Sequence, residues 1–264
     1  PARSRPSEGD GLQATAPLPR CYPVSVRRRA LLLAGLTAAL GACRSEPVRP
    51  EPLPPLMSSR RPPAAAPPVV LPPPATSGDR SLEQVLAARR SRRDLAARPL
   101  SLAQLGQLAW AAQGITDPAQ RRRAAPSAGA LYPLELYFVT PEGMHHYLPE
   151  RHALERRSAE DLRARLARAA LDQDAVREAP CVAVLTAVTV RTAQKYGDRA
   201  PRYVALEAGH AAQNLLLQAT ARGLAGVPIG AFDDDAVRRV LALPAGETPL
   251  YLVALGALSG EEGR

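Results

Sequence analysis

Residues 195–234 read KYGDRAPRYVALEAGHAAQNLLLQATARGLAGVPIGAFDD. Apolar side chains recur every three to four positions from about Arg199 to Arg222, and this period predicts one long amphipathic helix. Gly223 ends the predicted helix, because glycine readily adopts the left-handed conformation found at helix C-termini. The following VPIGAF, residues 227–232, is predicted to be a short apolar turn. It offers backbone amides and no side chain suited to acid–base or metal chemistry, which indicates that a bound cofactor performs the reaction.

The pattern from residue 81 onwards alternates between helix and strand signals. Capping-box sequences at Ser81 and Ser101 predict two helices. The first has Leu82, Val85 and Leu86 on its predicted buried face. A hairpin indicates antiparallel pairing and helices outnumber strands, so the predicted fold class is α+β. The other predicted elements are an irregular loop over 116–127, strands over 134–140 and 144–148, a helix capped by Ser158, a buried strand over 181–190, a helix from Asp233 to Leu243 and a last strand over 249–258.

The N-terminal part of the chain has the composition of a targeting segment. Arg27 and Arg28 precede an apolar run over 30–42 that ends in LGAC at Cys43, which is typical of a signal peptide with a lipidated cysteine. The arginine pair resembles a twin-arginine signal, the export route for folded proteins. The alternative is a chance Ala/Leu-rich helix behind a basic patch. We assign residues 1–43 to the signal, with 1–24 explained by a start site placed too far upstream.

Proline-rich sequence separates this signal from the folded part of the chain. Residues 44–78 predict an extended, disordered tether, and residues 79–264 predict one folded domain. We therefore expect an exported protein in the cell envelope that contacts the membrane only through a lipid on Cys43. The formal charge of +9 comes from scattered arginine without an interleaved aromatic stripe, so nucleic-acid binding is not expected.

Two further segments are candidates for ligand binding. The RRSRR sequence at 89–93 ends the first helix and suits a terminal phosphate, because guanidinium groups bind phosphate bidentately. Solvated arginines at a helix end are the alternative. The APSAGALYP sequence at 125–133 has small side chains that allow a planar ring to approach the backbone, unless it is an ordinary loop. No metal site is expected, since His145 and His146 point to opposite faces of a strand and no carboxylate pair accompanies them.

These segments together resemble the FMN-dependent nitroreductase family, and within it the SagB/ThcOx branch, whose azoline-oxidising members make thiazoles and oxazoles from peptides. The resemblance covers about residues 81–256. It implies a nitroreductase-like α+β fold, with a central, mostly antiparallel sheet flanked by helices around the long helix. It also implies a homodimer with two FMN sites at the interface. The motifs that carry it are RRSRR, APSAGALYPLELYFV, GMHHYLPERHALE, KYGDRAPRYVALEAGHAAQNLLLQATARGL, PIGAFDD and ETPLYLVALG.

The resemblance also implies roles for individual residues. The matched positions are Arg89, Arg90, Ser91 and Arg93 in the phosphate- and ribityl-contacting motif; Pro126, Ser127 and Ala128 in the loop that reaches the partner's flavin; and Gly230 and Ala231 in the backbone pair that addresses flavin N5 and O4. Separately, small side chains along the long helix permit close helix approach, so we expect this helix near the centre of the homodimer. These small residues are Ala205, Ala208, Gly209, Ala212 and Ala219.

Lys195 and Tyr196 match a pair regarded as catalytic in the azoline-oxidising branch, where a desolvated lysine could act as a base. Lys195 is also the only lysine among 34 lysine and arginine residues. The alternative is that the pair only shapes the rim of the pocket.

The leading interpretation is an exported, lipid-anchored FMN oxidoreductase that moves hydride between flavin and a small organic substrate, with a separate electron donor or acceptor. The alternative is a flavin-binding envelope lipoprotein that acts as an electron carrier or a non-catalytic binding subunit.

Overall fold

The computed structural model describes residues 67–260. The predicted signal peptide, twin-arginine motif and Cys43 lie outside the described residues. The elements in chain order are β1 (Val69–Val70), α1 (Leu82–Ala88), α2 (Leu102–Gln113), β2 (Ile115–Asp117), β3 (Arg122–Arg123), β4 (Leu134–Thr140), β5 (Gly143–Leu148), β6 (Ala153–Ser158), α3 (Arg163–Ala169), α4 (Asp174–Glu178), β7 (Cys181–Ala187), α5 (Val190–Tyr196), α6 (Ala200–Ala221), β8 (Ala225–Ile229), α7 (Asp234–Leu241) and β9 (Thr248–Gly256).

Seven strands form one antiparallel sheet in the order β1-β6-β5-β4-β7-β9-β8. Alternate side chains of each central strand face opposite layers. Leu136 and Phe138 of β4 pack with α2 and α6 on one face. Tyr137 and Val139 pack with α3 and α7 on the other. The predicted α+β fold, with a mostly antiparallel sheet and one long helix against it, is confirmed.

Short sequence features at the helix ends determine where several helices begin or end. In α1 and α2, Ser81 and Ser101 accept from the Gln84 and Gln104 amides at 3.2 Å, and each glutamine side chain bonds back to its serine amide. Both predicted capping boxes are therefore confirmed. Helix α6 ends where predicted, because Gly223 adopts φ 68° and the Leu224 amide closes back onto the Ala219 carbonyl at 2.8 Å.

Tertiary packing overrode other predictions about the helices. Val85 of α1 is buried, but Leu82 and Leu86 are largely exposed, because only one narrow strip of this short helix meets the body. Ser158 ends β6 instead of capping a helix, and α3 begins only after Leu162. The predicted small-residue face of α6 is divided: Ala208, Ala212 and Ala219 are buried in the chain's own core, while Ala205 and Gly209 are exposed.

The strand predictions also needed correction. The predicted loop over 116–127 contains the β2–β3 pair, and the predicted strand over 181–190 ends at Ala187. The predicted domain boundary at residue 79 lies too late. Strand β1 pairs with β6 and Leu71 is only 3% exposed, because the apolar VVL at 69–71 covers the open edge of the sheet. None of the helices within 67–260 combines the length and apolar character needed to cross a membrane.

Candidate active site

Strand β8 lies at one edge of the sheet and leads directly to Gly230 and Ala231. The turn predicted for 227–232 is wrong for its first half, because Val227 and Ile229 pack into the core layer next to α7. Pro228 obscured this strand, yet an edge strand tolerates proline because one side of it needs no donor. Gly230 and Ala231 are exposed, and neither amide donates to a backbone carbonyl within the described part of the chain. Two backbone donors are therefore available at the end of β8.

The RRSRR segment runs beside the start of β8. Ser91 forms a parallel bridge with Gly226, and the Arg92 amide donates to the Gly226 carbonyl at 3.1 Å. Arg90, Arg92 and Arg93 are exposed and Arg89 is half-buried. No carboxylate of residues 67–260 forms an ion pair with any of these four arginines. The segment therefore presents concentrated, unneutralised positive charge.

The small loop, which we define as residues 126–132, connects β3 to β4 in a strained conformation. Gly129, Ala130 and Tyr132 have φ values of 64°, 54° and 46°. A left-handed non-glycine residue costs roughly 1–2 kcal/mol, so contacts from the surrounding structure must hold this loop. One such contact is internal, since the Tyr132 amide donates to Ser127 Oγ at 2.9 Å.

The side chains of the two predicted catalytic residues reach the small loop. Lys195 and Tyr196 close α5, a helix that the sequence prediction missed. A Cβ atom placed on Gly129 would lie 2.9 Å from Tyr196 Oη and 3.2 Å from Lys195 Nζ. The structure therefore brings Lys195 and Tyr196 together with the small loop. Lys195 is exposed, so one described chain by itself does not provide the predicted desolvation.

A partly buried polar cluster ties α5 to the small loop. Glu135 of β4 binds Arg191 Nη2 at 2.6 Å and His146 Nε2 at 2.8 Å. Arg191 Nη1 donates to the Tyr132 carbonyl at 3.2 Å. Burial opposes ionisation of Glu135, but hydrogen bonds from His146 and Arg191 hold its pKa below the ordinary value. Sequence reasoning missed this cluster, although the glutamate within the apolar strand LELYFV was a signal.

Glu207 of α6 lies under the small loop. It is only 2% exposed, and its Oε1 atom has no hydrogen-bond partner within the described residues. Burial raises the pKa of Glu207 to about 7, while the Ser127 hydroxyl and the charge of Arg123 partly oppose that rise. Sequence reasoning overlooked Glu207, although the helical period places it with the buried residues Val204 and Ala211.

The two groups of candidate residues are separated across the sheet. Strand β8 runs towards the end of the sheet where β4 starts, but its last residue, Ile229, is level with Leu252 of β9, Val184 of β7 and Tyr137 of β4, in the middle of these strands. Three strand spacings, about 14 Å in all, separate the end of β8 from the strand that follows the small loop. No hydrogen bond or ion pair recorded within 67–260 joins the small loop to the RRSRR segment or to Gly230 and Ala231.

Comparison with known proteins settles the family of the chain. Residues 86–257 match the sequence profile of the Nitroreductase family. The chain belongs to the nitroreductase family. A protein from Methanocaldococcus jannaschii that is assigned as a nitroreductase is 43% identical over 181 residues, which cover 66% of this chain and 90% of that protein.

Solved structures agree with this nitroreductase assignment. A crystal structure from Ralstonia eutropha JMP134, described as a nitroreductase, has a TM-score of 0.67 and 30% identity, and the match covers 74% of this chain and 90% of that one. The NADPH:FMN oxidoreductase from Vibrio harveyi, complexed with NAD+, shares the fold with a TM-score of 0.52 and 24% identity over 69% of this chain and 72% of its own. Nitroreductases are oxidoreductases that use flavin cofactors. The predicted family and fold are therefore confirmed.

Proposed function

We propose that this nitroreductase-family protein is an FMN-dependent oxidoreductase that transfers hydride between the flavin and a small organic substrate. The observation that carries the proposal is the unneutralised RRSRR segment running beside a strand that ends in two available amides. When bound, FMN supplies the centre that accepts or donates hydride. The chain supplies binding, orientation and proton handling.

The donor set along β8 fits this cofactor. The phosphate would be bound by the guanidinium groups of Arg89, Arg90 and Arg93. The hydroxyl of Ser91, which lies between them in the sequence, is a further donor. Amides of Gly230 and Ala231 suit the nitrogen and oxygen acceptors of a flavin ring. Gly230 leaves space for such a ring, because the nearest atom to a Cβ placed there would be Tyr251 Cε2 at 3.8 Å.

A homodimer would join the two separated groups of residues. We propose that Pro126, Ser127 and Ala128 of one subunit complete the flavin site built along β8 of the other. The exposed strip of α6 supports close approach of a second copy, since Leu206 is 52% exposed and no atom lies within 4 Å of a Cβ placed on Gly209.

We propose a SagB-type role for Lys195 and Tyr196 at the substrate side of the small loop. A partner subunit that covers the loop would desolvate Lys195 and allow its amine to accept a proton. Lys195→Arg should keep the cofactor and the dimer but slow substrate oxidation by about 100- to 10,000-fold, as expected for a lost general base. Unchanged turnover would leave Lys195 as a rim residue.

Purification of the full chain tests the cofactor assignment. We expect the protein to carry stoichiometric flavin, identified as FMN after denaturation by chromatography and mass. Bleaching of that flavin by a reductant such as NADPH, followed by reoxidation with a nitro or quinone acceptor, would establish turnover. A chain that purifies and refolds without flavin in the presence of excess FMN would refute the proposal.

We also propose that the protein is exported after folding and anchored through Cys43. FMN is held by segments far apart in sequence, so the site exists only in the folded chain, which favours the twin-arginine route. Conversion of Arg27 and Arg28 to lysine should leave a flavin-loaded precursor in the cytoplasm, as measured by cell fractionation. Normal delivery of this variant to the envelope would contradict the proposed route.

A further inference from the structure

We propose that Arg191 and Glu135 are positioning residues that fix Lys195 against the small loop for the chemical step. Arg191 lies on α5, four residues before Lys195, and Glu135 lies on β4. This inference rests on the proposed function, because the chemical role of Lys195 belongs to that proposal. The family resemblance described above gives no role to Arg191 or Glu135.

Helix α5 has little within itself that would fix its position. It spans only seven residues, and Thr192 is its one buried residue. The N-cap residue Thr189 makes no side-chain capping hydrogen bond within residues 67–260. A helix this short is not stable by itself, so tertiary contacts must place it. One such contact precedes the helix, where the Val188 amide donates to the Pro133 carbonyl at 2.9 Å.

The guanidinium group of Arg191 provides the second contact by binding two acceptors at once. Its Nη2 atom lies 2.6 Å from Glu135 Oε1, and its Nη1 atom donates to the Tyr132 carbonyl at 3.2 Å. The planar guanidinium holds these donors in a rigid fork. Since Tyr132 is the last residue of the small loop, Arg191 fixes α5 relative to the sheet and the loop together.

Glu135 is a firm anchor for this fork. It stands on β4, which lies between β5 and β7 in the sheet. Its second oxygen, Oε2, bonds to His146 Nε2 at 2.8 Å, and both side chains are only 16% exposed. The His146 ring in turn stacks on Tyr137 with 4.7 Å between the ring centroids. The carboxylate therefore has one defined place, and Arg191 transmits that place to α5.

Arg191 and Lys195 contact the loop from the same face of α5, because residues four positions apart lie one above the other on a helix. Arg191 contacts the end of the loop at Tyr132. Lys195 contacts its middle, where a Cβ atom placed on Gly129 would lie 3.2 Å from Nζ. Two contacts on one face define how the helix is oriented against the loop. Loss of the Arg191 contact should therefore release Lys195 from its place.

The first test observes Lys195 directly, since it is the only lysine of the chain. Reductive methylation of the full-length protein with isotope-labelled formaldehyde gives one lysine methyl NMR signal, identified by its absence in Lys195→Arg. In the wild type this signal should be broad and displaced from that of free dimethyl-lysine. In Arg191→Gln and in Glu135→Gln it should narrow and move towards the free position, because a released side chain moves on the picosecond to nanosecond timescale.

Arg163→Gln is the matched control. Arg163 of α3 also joins a carboxylate to a backbone carbonyl, with Nη2 at 2.7 Å from Asp161 Oδ2 and Nη1 donating to the Ala179 carbonyl at 2.9 Å. The control thus removes the same kind of fork at a site outside α5 and the small loop. It should leave the Lys195 signal and the turnover unchanged. Glu135→Gln gives an independent measurement should Arg191→Gln not fold.

Turnover with NADPH and a nitro or quinone acceptor provides the second readout. Arg191→Gln should lower kcat by at least about 10-fold with little change in KM, because a misplacement of about 1 Å can cost more than that. In a Lys195→Arg background the same substitution should change kcat by less than about 2-fold, since residues that act through one group are not additive. A role of Arg191 in general stability would slow both backgrounds equally.

The outcomes separate this inference from the proposed function. A Lys195 signal that is unchanged in both Arg191→Gln and Glu135→Gln, or that shifts equally in Arg163→Gln, overturns the inference. Equal slowing by Arg191→Gln in the two backgrounds also overturns it. If the Lys195 signal responds as expected while Lys195→Arg keeps full turnover, the positioning stands and the proposed chemical role of Lys195 fails.

Discussion

Arg89 and Arg93 carry charges that no described carboxylate neutralises, so their most favourable partner is an anionic ligand. Each charge-assisted hydrogen bond to a phosphate contributes about 1.5–3 kcal/mol. Arg89→Ala combined with Arg93→Ala should therefore weaken FMN binding by at least about 100-fold, as measured by fluorescence titration. The control variant Arg168→Ala with Arg239→Ala removes the same charge from exposed positions on α3 and α7 and should bind FMN normally. Equal affinities for the two double variants would reject the phosphate assignment.

Glu207 also links the site to stability. Its pKa is about 7 in the folded chain against an ordinary value of 4.5, so the folded state binds the proton more tightly than the unfolded state. The stability associated with that proton is fully present below about pH 4.5 and is lost as the pH rises through about 7. Complete ionisation of Glu207 would lower the free energy of unfolding by about 3 kcal/mol, because a pKa difference of one corresponds to about 1.36 kcal/mol. Glu207→Gln should therefore raise the free energy of unfolding at pH above about 8, with a gain that shrinks towards pH 5.

Urea unfolding of the wild type and Glu207→Gln at several pH values measures this difference. The control is Glu135→Gln, because Glu135 has a lowered pKa and stabilises the fold when ionised. Glu135→Gln removes this carboxylate and should lower the free energy of unfolding near neutral pH. The decrease should become smaller as the pH falls through the depressed pKa of Glu135. The two glutamates should thus respond with opposite signs. If Glu207→Gln raises the free energy of unfolding by the same amount at every pH, the cause is a change in packing and not the titration of Glu207.

At the scale of elements, Gly129 is the contact point between the small loop and α5. Alanine there would meet the left-handed backbone penalty of about 1 kcal/mol, and its Cβ would press on the ends of the Lys195 and Tyr196 side chains. Gly223 offers a matched control, since it has φ +68° and no atom within 4 Å of a placed Cβ. Gly129→Ala and Gly223→Ala should lose similar stability, within about 1 kcal/mol, because the displaced side chains are flexible.

Turnover should separate these two variants. Gly129→Ala moves both candidate catalytic groups and should slow the reaction by at least about 10-fold, since a misplacement of about 1 Å can cost more than that. Gly223→Ala should react normally once it is folded. Equal turnover in the two variants would show that the contact of α5 with the loop has no part in the chemistry.

The same elements show how much the sequence could reveal. Helices α2 and α6 were predictable because their caps, their period and the Gly223 stop are local features. The RRSRR segment and the small loop were recognisable as candidates because arginine density and small side chains are visible in the sequence. Strand β8 could not be recognised from the sequence. Its Pro228 is tolerated only at the edge of a sheet, and whether a strand lies at the edge depends on the whole topology. The burial of Glu207 under the small loop likewise depends on segments far apart in the chain.

At the scale of the whole molecule, the proposed dimer makes flavin binding depend on association. Leu206 lies on the exposed strip of α6 that would meet the partner, and an unpaired carboxylate buried there would cost several kcal/mol. Leu206→Glu should therefore convert the dimer into monomers. Because the small loop of one subunit would complete the site of the other, the monomers should also release FMN.

Light scattering combined with the ratio of flavin to protein measures both effects in one experiment. Leu102→Glu is the control, because Leu102 is 48% exposed at the start of α2, where a carboxylate also favours the helix dipole. That variant should remain dimeric and flavin-loaded. A monomeric Leu206→Glu that keeps its FMN would show that one chain completes the site, and a monomeric wild type loaded with FMN would reject the dimer. If Leu206→Glu loses both the dimer and the flavin while Leu102→Glu keeps both, the result supports a contact between the small loop of one subunit and the cofactor of the other.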